Sequence, residues 1–321
     1  MSMFEFPMLF PADGTSLVGR LYRNVDDLVT AQPTVVVTGS WLTVKEQMPR
    51  TYALRLAEQG ITAFTFDFTG FGQSGGAPRQ LELSARRIAD IAAAADFLST
   101  MSFVRGGVGH MGICASAQYA LAAMAQGAKI RSFVSVAGWY HDVMSVARFY
   151  GGAEGTKLRF GRAREALETW AKSGDVIMVP AYRLGDDRAG MFFELDYYAS
   201  PQRGAVPEWK NEMAEMSWLF WLTFDGVRSV GDVTVPTLIV HSDGCVFPDH
   251  ARSVYAALKG PKQIEWTEGS QIDFYDQESQ VIRALALTVP HFQATLGATM
   301  SGTSASNRPG NVKKGYGVWD G

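Results

Sequence analysis

The sequence predicts an α/β protein with a mostly parallel sheet, helices on both of its faces and one helical insertion. Three observations carry that prediction. From residue 34 onward, short apolar runs of strand length alternate with longer stretches at helical spacing. The runs are apolar at consecutive positions, as strands covered on both faces require. One interruption of about 100 residues, between Ala137 and Pro236, breaks the alternation. It is far longer than an ordinary crossover connection.

The elements follow in order. Residues 3–23 read as a β-hairpin, with Phe4 to Phe10 and Leu17 to Tyr22 as strands and Ala12-Asp-Gly14 as the turn. Buried strands are expected at Thr34-Val-Val-Val37, Ile61 to Phe66, Val108 to Gly112, Ser132 to Val136, Thr237 to Val240 and Gln263 to Thr267. Between Leu83 and Leu98, the residues Ile88, Ile91, Ala95 and Leu98 share one helical face, which makes this segment an amphipathic crossover helix. A βαβ series of this kind is an open α/β sheet. The core therefore takes residues 1–142 and 230–297. Residues 143–229 are rich in Trp, Tyr, Phe and Met and read as a mainly helical cap over the C-terminal edge of the sheet. Most of the cap's aromatics should form its own small core, and a minority should line a pocket. Residues 298–321 read as a flexible tail, and no internal repeat is present.

Composition narrows the function. The chain has 321 residues, 47% hydrophobic and 19% charged, with 29 basic against 32 acidic side chains. That balance excludes wholesale disorder and carries no polyanion-binding signature, so nucleic acid is not an expected partner. No run reaches the ~20 apolar residues of a membrane span, and the N-terminus lacks the pattern of a signal peptide. A cytoplasmic protein with no membrane partner is expected, and homo-oligomerisation is left open. The two cysteines, Cys114 and Cys245, cannot make a disulfide framework. The five histidines show no metal-ligand spacing, so neither a metal nor any other cofactor is expected.

The strongest chemical signal is Gly112-Ile-Cys-Ala-Ser116, directly after a strand and before the helical run Ala117 to Met124. A nucleophile on a sharp strand-to-helix turn needs small residues two positions to either side, because the chain doubles back there. Cys114 is then the nucleophile, and the helix N-terminus favours its thiolate. The Ala115 N–H is placed to meet an oxyanion. The loop Val37 to Met48 is where a second oxyanion donor belongs, a backbone N–H assigned to Trp41, with Leu42 as the alternative. Asp67-Phe-Thr-Gly-Phe-Gly-Gln-Ser-Gly-Gly76 contains a literal G-x-G-x-x-G, with Asp90 further along. Asp90 falls inside the amphipathic helix instead of at a strand end, so the segment is not read as a dinucleotide site.

Taken together, Gly-Ser-Trp-Leu-Thr-Val-Lys-Glu-Gln-Met48, Phe-Asp-Phe-Thr-Gly-Phe-Gly-Gln-Ser-Gly-Gly76, Gly-Ile-Cys-Ala-Ser-Ala117 and Glu-Gly-Ser-Gln-Ile-Asp-Phe-Tyr-Asp276 occur in order. This set resembles the α/β-hydrolase superfamily, in its dienelactone hydrolase-like branch with a cysteine at the elbow. The resemblance covers roughly residues 4–295 and implies an eight-stranded sheet with a nucleophile–acid–histidine triad. It also implies cleavage of an ester, lactone or thioester. The family's histidine position is Gln271 here, and a glutamine amide cannot take up a proton near neutral pH. For the acid, the segment His241 to Pro248 offers Asp243, with Asp249 behind it, while Cys245 stands where the family's acid commonly lies. His141 is the candidate substitute base, because it follows the strand beside that of Cys114 and neighbouring strands lie only ~4.8 Å apart.

Three functional readings follow. The first is hydrolysis or acyl transfer on an ester, lactone or thioester through Cys114. The second is a non-hydrolytic biosynthetic enzyme on the same scaffold, such as a cyclase, lyase, isomerase or dimerising enzyme. The third is a catalytically dead protein that binds a ligand. In each, the aromatic cap favours a small apolar or ring-bearing molecule.

Overall fold

A computed structural model of the chain describes residues 2–297. The proposed tail, 298–321, lies outside the described residues. The elements run β1 (Phe4–Ala12), β2 (Thr15–Arg23), β3 (Gln32–Thr38), α1 (Met48–Glu58), β4 (Thr62–Phe66), α2 (Ser84–Ser99), β5 (Val104–Ile113), α3 (Ala115–Ala125) and β6 (Ile130–Val136). The insertion holds α4 (Val143–Phe149), α5 (Gly152–Ser173), β7 (Met178–Val179), α6 (Asp196–Ala199), β8 (Met213–Ala214) and α7 (Ser217–Trp221). The chain then returns with β9 (Thr237–Gly244), α8 (Pro248–Ala257), β10 (Lys262–Ser270), α9 (Asp273–Asp276) and α10 (Glu278–Leu296).

Eight strands form one sheet in the order β1-β2-β4-β3-β5-β6-β9-β10. The β1–β2 and β2–β4 pairs are antiparallel, and all the others are parallel. This is the expected mostly parallel α/β sheet. The consecutive apolar positions explain it, since every residue of β3 and β4 is buried. Strand β5 begins earlier than its apolar run because Gly106 and Gly107 are looped out, so that Arg105 pairs with Pro33 and Val108 with Thr34. Both glycines have positive φ, a conformation that a side chain would resist. Within the described residues, no helix is long and apolar enough to cross a membrane.

The insertion is tied to the loops at the C-terminal ends of the strands. The Trp209 indole donates to the Leu42 carbonyl (2.8 Å), and the Gln47 amide donates to the Gly204 carbonyl (2.6 Å). Arg203 pairs with Asp276 beyond β10 and with Asp196 in its own segment. These ties set the cap's aromatic side chains over the sheet edge that carries Cys114.

Candidate active site

Cys114 sits between β5 and α3 with φ 56° and ψ −123°, a strained conformation for a residue with a side chain. The sharpness of the turn is visible at Gly112, where a Cβ would lie 2.8 Å from the Ala117 Cα. Ser116 closes the turn, its hydroxyl reaching the Thr38 carbonyl at 2.9 Å and accepting the Ile113 N–H at 3.1 Å. A glycine in its place would lose that tie to β3. Leu42, Ala137 and Phe247 also have positive φ, in the loops that follow β3, β6 and β9. Backbone strain is thus gathered at one edge of the sheet, around the cysteine.

The sulfur is buried and surrounded by hydrogen-bond donors. The Ser40 hydroxyl donates to Sγ at 3.1 Å, and the Tyr275 hydroxyl donates to Ser40 Oγ at 3.3 Å. The backbone N–H groups of Ala115 and Trp41 also act on the sulfur. Burial nonetheless dominates and pushes the Cys114 thiol up; the Ser40 and Tyr275 hydroxyls and the two N–H groups oppose it. The resting group is therefore a thiol at neutral pH, whatever the helix N-terminus favours.

Gln271 is fully committed. Its amide N–H2 group donates to the Ala137 carbonyl at 2.7 Å and to the Tyr275 hydroxyl at 3.4 Å, and its carbonyl accepts from the Val246 N–H at 3.0 Å. It shares one small cavity with Ser40, Trp41, Cys114 and Tyr275, whose remaining walls are apolar or aromatic side chains. From the insertion come Phe149, Tyr150, Met191, Phe193, Leu195, Tyr198 and Trp221; Trp139, Val246 and Ile272 come from the loops of the core. No Asp, Glu, His, Lys or Arg lines it. The Tyr198 hydroxyl is buried beside Ser40 and Tyr275 without a well-formed hydrogen bond.

The structure does not bring Asp243 to this cavity. Its carboxylate is solvent-exposed and pairs with Arg252 at 2.7 Å, and Asp249 meets the same guanidinium at 3.3 Å. Asp243 lies near the end of β9 and Asp249 in the first turn of α8, and both carboxylates are held on the solvent side by Arg252. His141 does not reach the cysteine either. Its ring is fully buried behind Trp139 and Trp221, with Nδ1 accepting the Trp139 indole N–H at 2.6 Å. Burial lowers its pKa to about 3, so it is neutral and serves to hold Trp139 against the cavity. Cys245 contacts the Ser242 hydroxyl at 3.3 Å, and both cysteines are free thiols. Three of the other four histidines are hydrogen-bonded elsewhere, His110 with Thr38, His241 with the Gly138 and Ser242 carbonyls and His291 with Ser132. The His250 ring, in α8, stacks on Phe247 and does not line the cavity.

The glycine-rich loop is a structural brace. Asp90 accepts the Thr69 N–H and hydroxyl at 2.8 and 2.9 Å, and buried Asp67 accepts both the Lys45 N–H and the Lys45 ammonium. The Asp67–Lys45 pair fastens the Trp41 loop to β4. Among the described residues, no group of His, Cys, Asp and Glu side chains stands ready for a metal ion.

Sequence reasoning passed over Ser40, Tyr275 and Tyr198. The first two lay inside the quoted motifs, one residue before Trp41 and four after Gln271. Only proximity in space marks them as part of the site. Tyr198 carried no local signal beyond being one aromatic among many.

Comparison with known proteins places this geometry in context. A family model described as X-Pro dipeptidyl-peptidase (S15 family) matches residues 13–270. The uncharacterized protein YcjY of Escherichia coli is 29% identical over 79% of this chain and 85% of its own. The polyketide transferase claH of Penicillium crustosum is 26% identical over 80% of this chain and 86% of its own. Among solved structures, the α/β hydrolase GrgF of a Penicillium species superposes with a TM-score of 0.75 at 16% identity, covering 93% of this chain and 100% of that one.

Proposed function

The chain belongs to the X-Pro dipeptidyl-peptidase family and is a hydrolase-like enzyme with the α/β-hydrolase fold, and on that premise we propose that it transfers an acyl group through a covalent thioester on Cys114. The acyl donor is an ester, lactone or thioester whose acyl part is apolar or ring-bearing, as the aromatic walls favour. Sγ attacks the donor carbonyl, and the developing oxyanion is met by the N–H groups of Trp41 and Ala115. Loss of the leaving group gives an S-acyl cysteine, which an acceptor then attacks. Asp243, Asp249 and His141 stay outside this chemistry. In this reading the chain falls in a cysteine-elbow branch akin to the dienelactone hydrolases and acts in the cytoplasm, where free thiols persist.

The observation that carries the proposal is the sulfur at a strained elbow, ringed by donors, in a cavity that no ionisable base lines. Attack by water needs a base, and Gln271 cannot be one. A thiol, amine or carbon nucleophile needs less help than water, which favours transfer over hydrolysis. The name of claH, a polyketide transferase, is in keeping with that preference.

A competition assay tests it. With an aryl thioester as donor and N-acetylcysteamine as acceptor, exchange product should outrun free acid by at least ~10-fold, and Cys114→Ala should abolish both, since it removes the thiol that carries the acyl group. Hydrolysis outrunning exchange, or turnover surviving in Cys114→Ala, contradicts the proposal.

A further inference from the structure

We propose that the Ser40 hydroxyl is the proton shuttle of the acyl-transfer site, taking the place of the missing histidine, and that Tyr275 positions it. The inference rests on Cys114 being the acylated residue. Its basis is a proton that has nowhere else to go. The buried thiol starts protonated, so bond formation at Sγ must release a proton inside the cavity. No Asp, Glu, His or Lys lines that cavity, and both sides of the Gln271 amide are already hydrogen-bonded. Of the groups that act on Sγ, the two N–H groups can only donate, and the hydroxyl with a hydrogen bond to the sulfur is that of Ser40, at 3.1 Å, with Tyr275 behind it.

A hydroxyl is a weak base but can relay a proton, since it accepts one while giving up its own. As the Sγ–C bond forms, the Sγ–H proton passes to Ser40 Oγ. In the same concerted step the Ser40 proton passes to the leaving heteroatom as its bond to the acyl carbon breaks, so Ser40 never carries two protons. The products are S-acyl Cys114, an intact Ser40 hydroxyl and the protonated leaving group. The second half runs in reverse. The acceptor's proton moves to Ser40 as the acceptor attacks, and the Ser40 proton returns to Sγ as the thioester breaks. Each half returns Ser40 as a neutral hydroxyl, and the charge that develops on the carbonyl oxygen is the part left to the Trp41 and Ala115 N–H groups.

Tyr275 makes this geometry specific. Its hydroxyl donates to Ser40 Oγ at 3.3 Å, and its own oxygen is approached by Gln271 Nε2 at 3.4 Å. Gln271 is anchored in turn to Ala137 and Val246. The chain Gln271–Tyr275–Ser40–Sγ therefore runs from the backbone to the sulfur, and the family's histidine position becomes its fixed end. Burial of the Tyr275 phenol keeps it protonated and able to donate.

The test is stopped-flow acylation by an aryl thioester, followed as thiol release in ordinary and heavy water, for the wild type, Ser40→Ala, Ser40→Thr and Tyr275→Phe. Ser40→Ala should slow acylation by ~10²-fold, the lower end of a general acid–base contribution. It should also shrink the solvent isotope effect seen in the wild type. Ser40→Thr, which keeps the hydroxyl, should restore most of the rate, and Tyr275→Phe should cost about tenfold or less, the scale of one hydrogen bond. Thermal melts of each variant separate loss of rate from loss of fold. Wild-type acylation with an unchanged rate and isotope effect in folded Ser40→Ala overturns the shuttle alone. Absence of acylation in the wild type overturns the Cys114 reading, and the shuttle falls with it.

Discussion

Gln271 donates to one backbone carbonyl and accepts from one backbone N–H, while its neighbour Tyr275 reaches toward the cysteine through Ser40. An imidazole at this position would trade those anchors for a group that can take up a proton. Gln271→His should therefore raise thioester hydrolysis at least ~10-fold and introduce a fall in rate below pH ~6.5, the ordinary imidazole range. It should lower stability by ~1–2 kcal/mol through the lost hydrogen bonds. Product analysis across pH 5 to 9 checks the first, and urea denaturation checks the second. An unchanged ratio of acid to transfer product would mean that water activation is not what this site lacks. At this scale the sequence was legible wherever chemistry is local. Cys114 and Ala115 are adjacent in one turn, and Gln271 lies four residues from Tyr275, with which it shares the cavity. The outward turn of Asp243 was not legible, because it is held by Arg252 nine residues later. Nor was His141, whose proximity in strand order conceals two intervening tryptophans.

The elements around the site are held by buried polar ties. The loop from β3 to α1 carries Trp41 and is fastened by Lys45, whose ammonium lies 2.7 Å from Asp67 with both side chains almost entirely out of solvent. Removing one partner of such a pair strands the other charge. Lys45→Met should cost ~3 kcal/mol, near the lower end of that range because the backbone N–H groups of Lys45 and Gln73 still reach Asp67. The lost order in the Trp41 loop should also slow acylation. A urea midpoint shifted at constant slope, together with the stopped-flow rate, measures both. A variant as stable as the wild type would show that the tie is dispensable. The strands were legible because apolar runs buried on both faces follow directly from residue type, and α2 because its apolar positions repeat at helical spacing. The glycine bulge of β5 and the two-residue ladder of β7 and β8 were not. The bulge depends on register against β3, and the ladder is too short to carry any period.

For the whole molecule, the core is set by the sheet, and the cap supplies seven of the fifteen residues that line the cavity. Burial of polar side chains in that core makes the protein sensitive to acid. His110 and His141 are fully buried, and loss of solvation lowers each pKa from 6.5 to about 3. Between these values the unfolded chain binds protons that the folded chain refuses. Each histidine's contribution is therefore complete above about pH 6.5 and is lost as the pH falls toward 3, with a slope approaching ~1.4 kcal/mol per pH unit. In His141→Asn the fall in stability between pH 6 and 4 should be correspondingly shallower. Denaturant unfolding at fixed pH values reads the slope, and parallel curves for the two proteins would contradict the assignment. The long interruption between β6 and β9 was visible in the sequence as an insertion rich in aromatics. Which of those aromatics face the cysteine was not visible, since Phe193, Tyr198 and Trp221 share no period and meet only through the cap's packing.

The most direct test of acyl transfer through Cys114 is the intact mass of the protein after rapid acid quench from an aryl thioester. The expected result is a mass increase of one acyl group, mapped by peptide digestion to Cys114, appearing before product and disappearing when a thiol or amine acceptor is added. Product formation with no adduct on Cys114 at any time, or an adduct that an acceptor does not discharge, would contradict it.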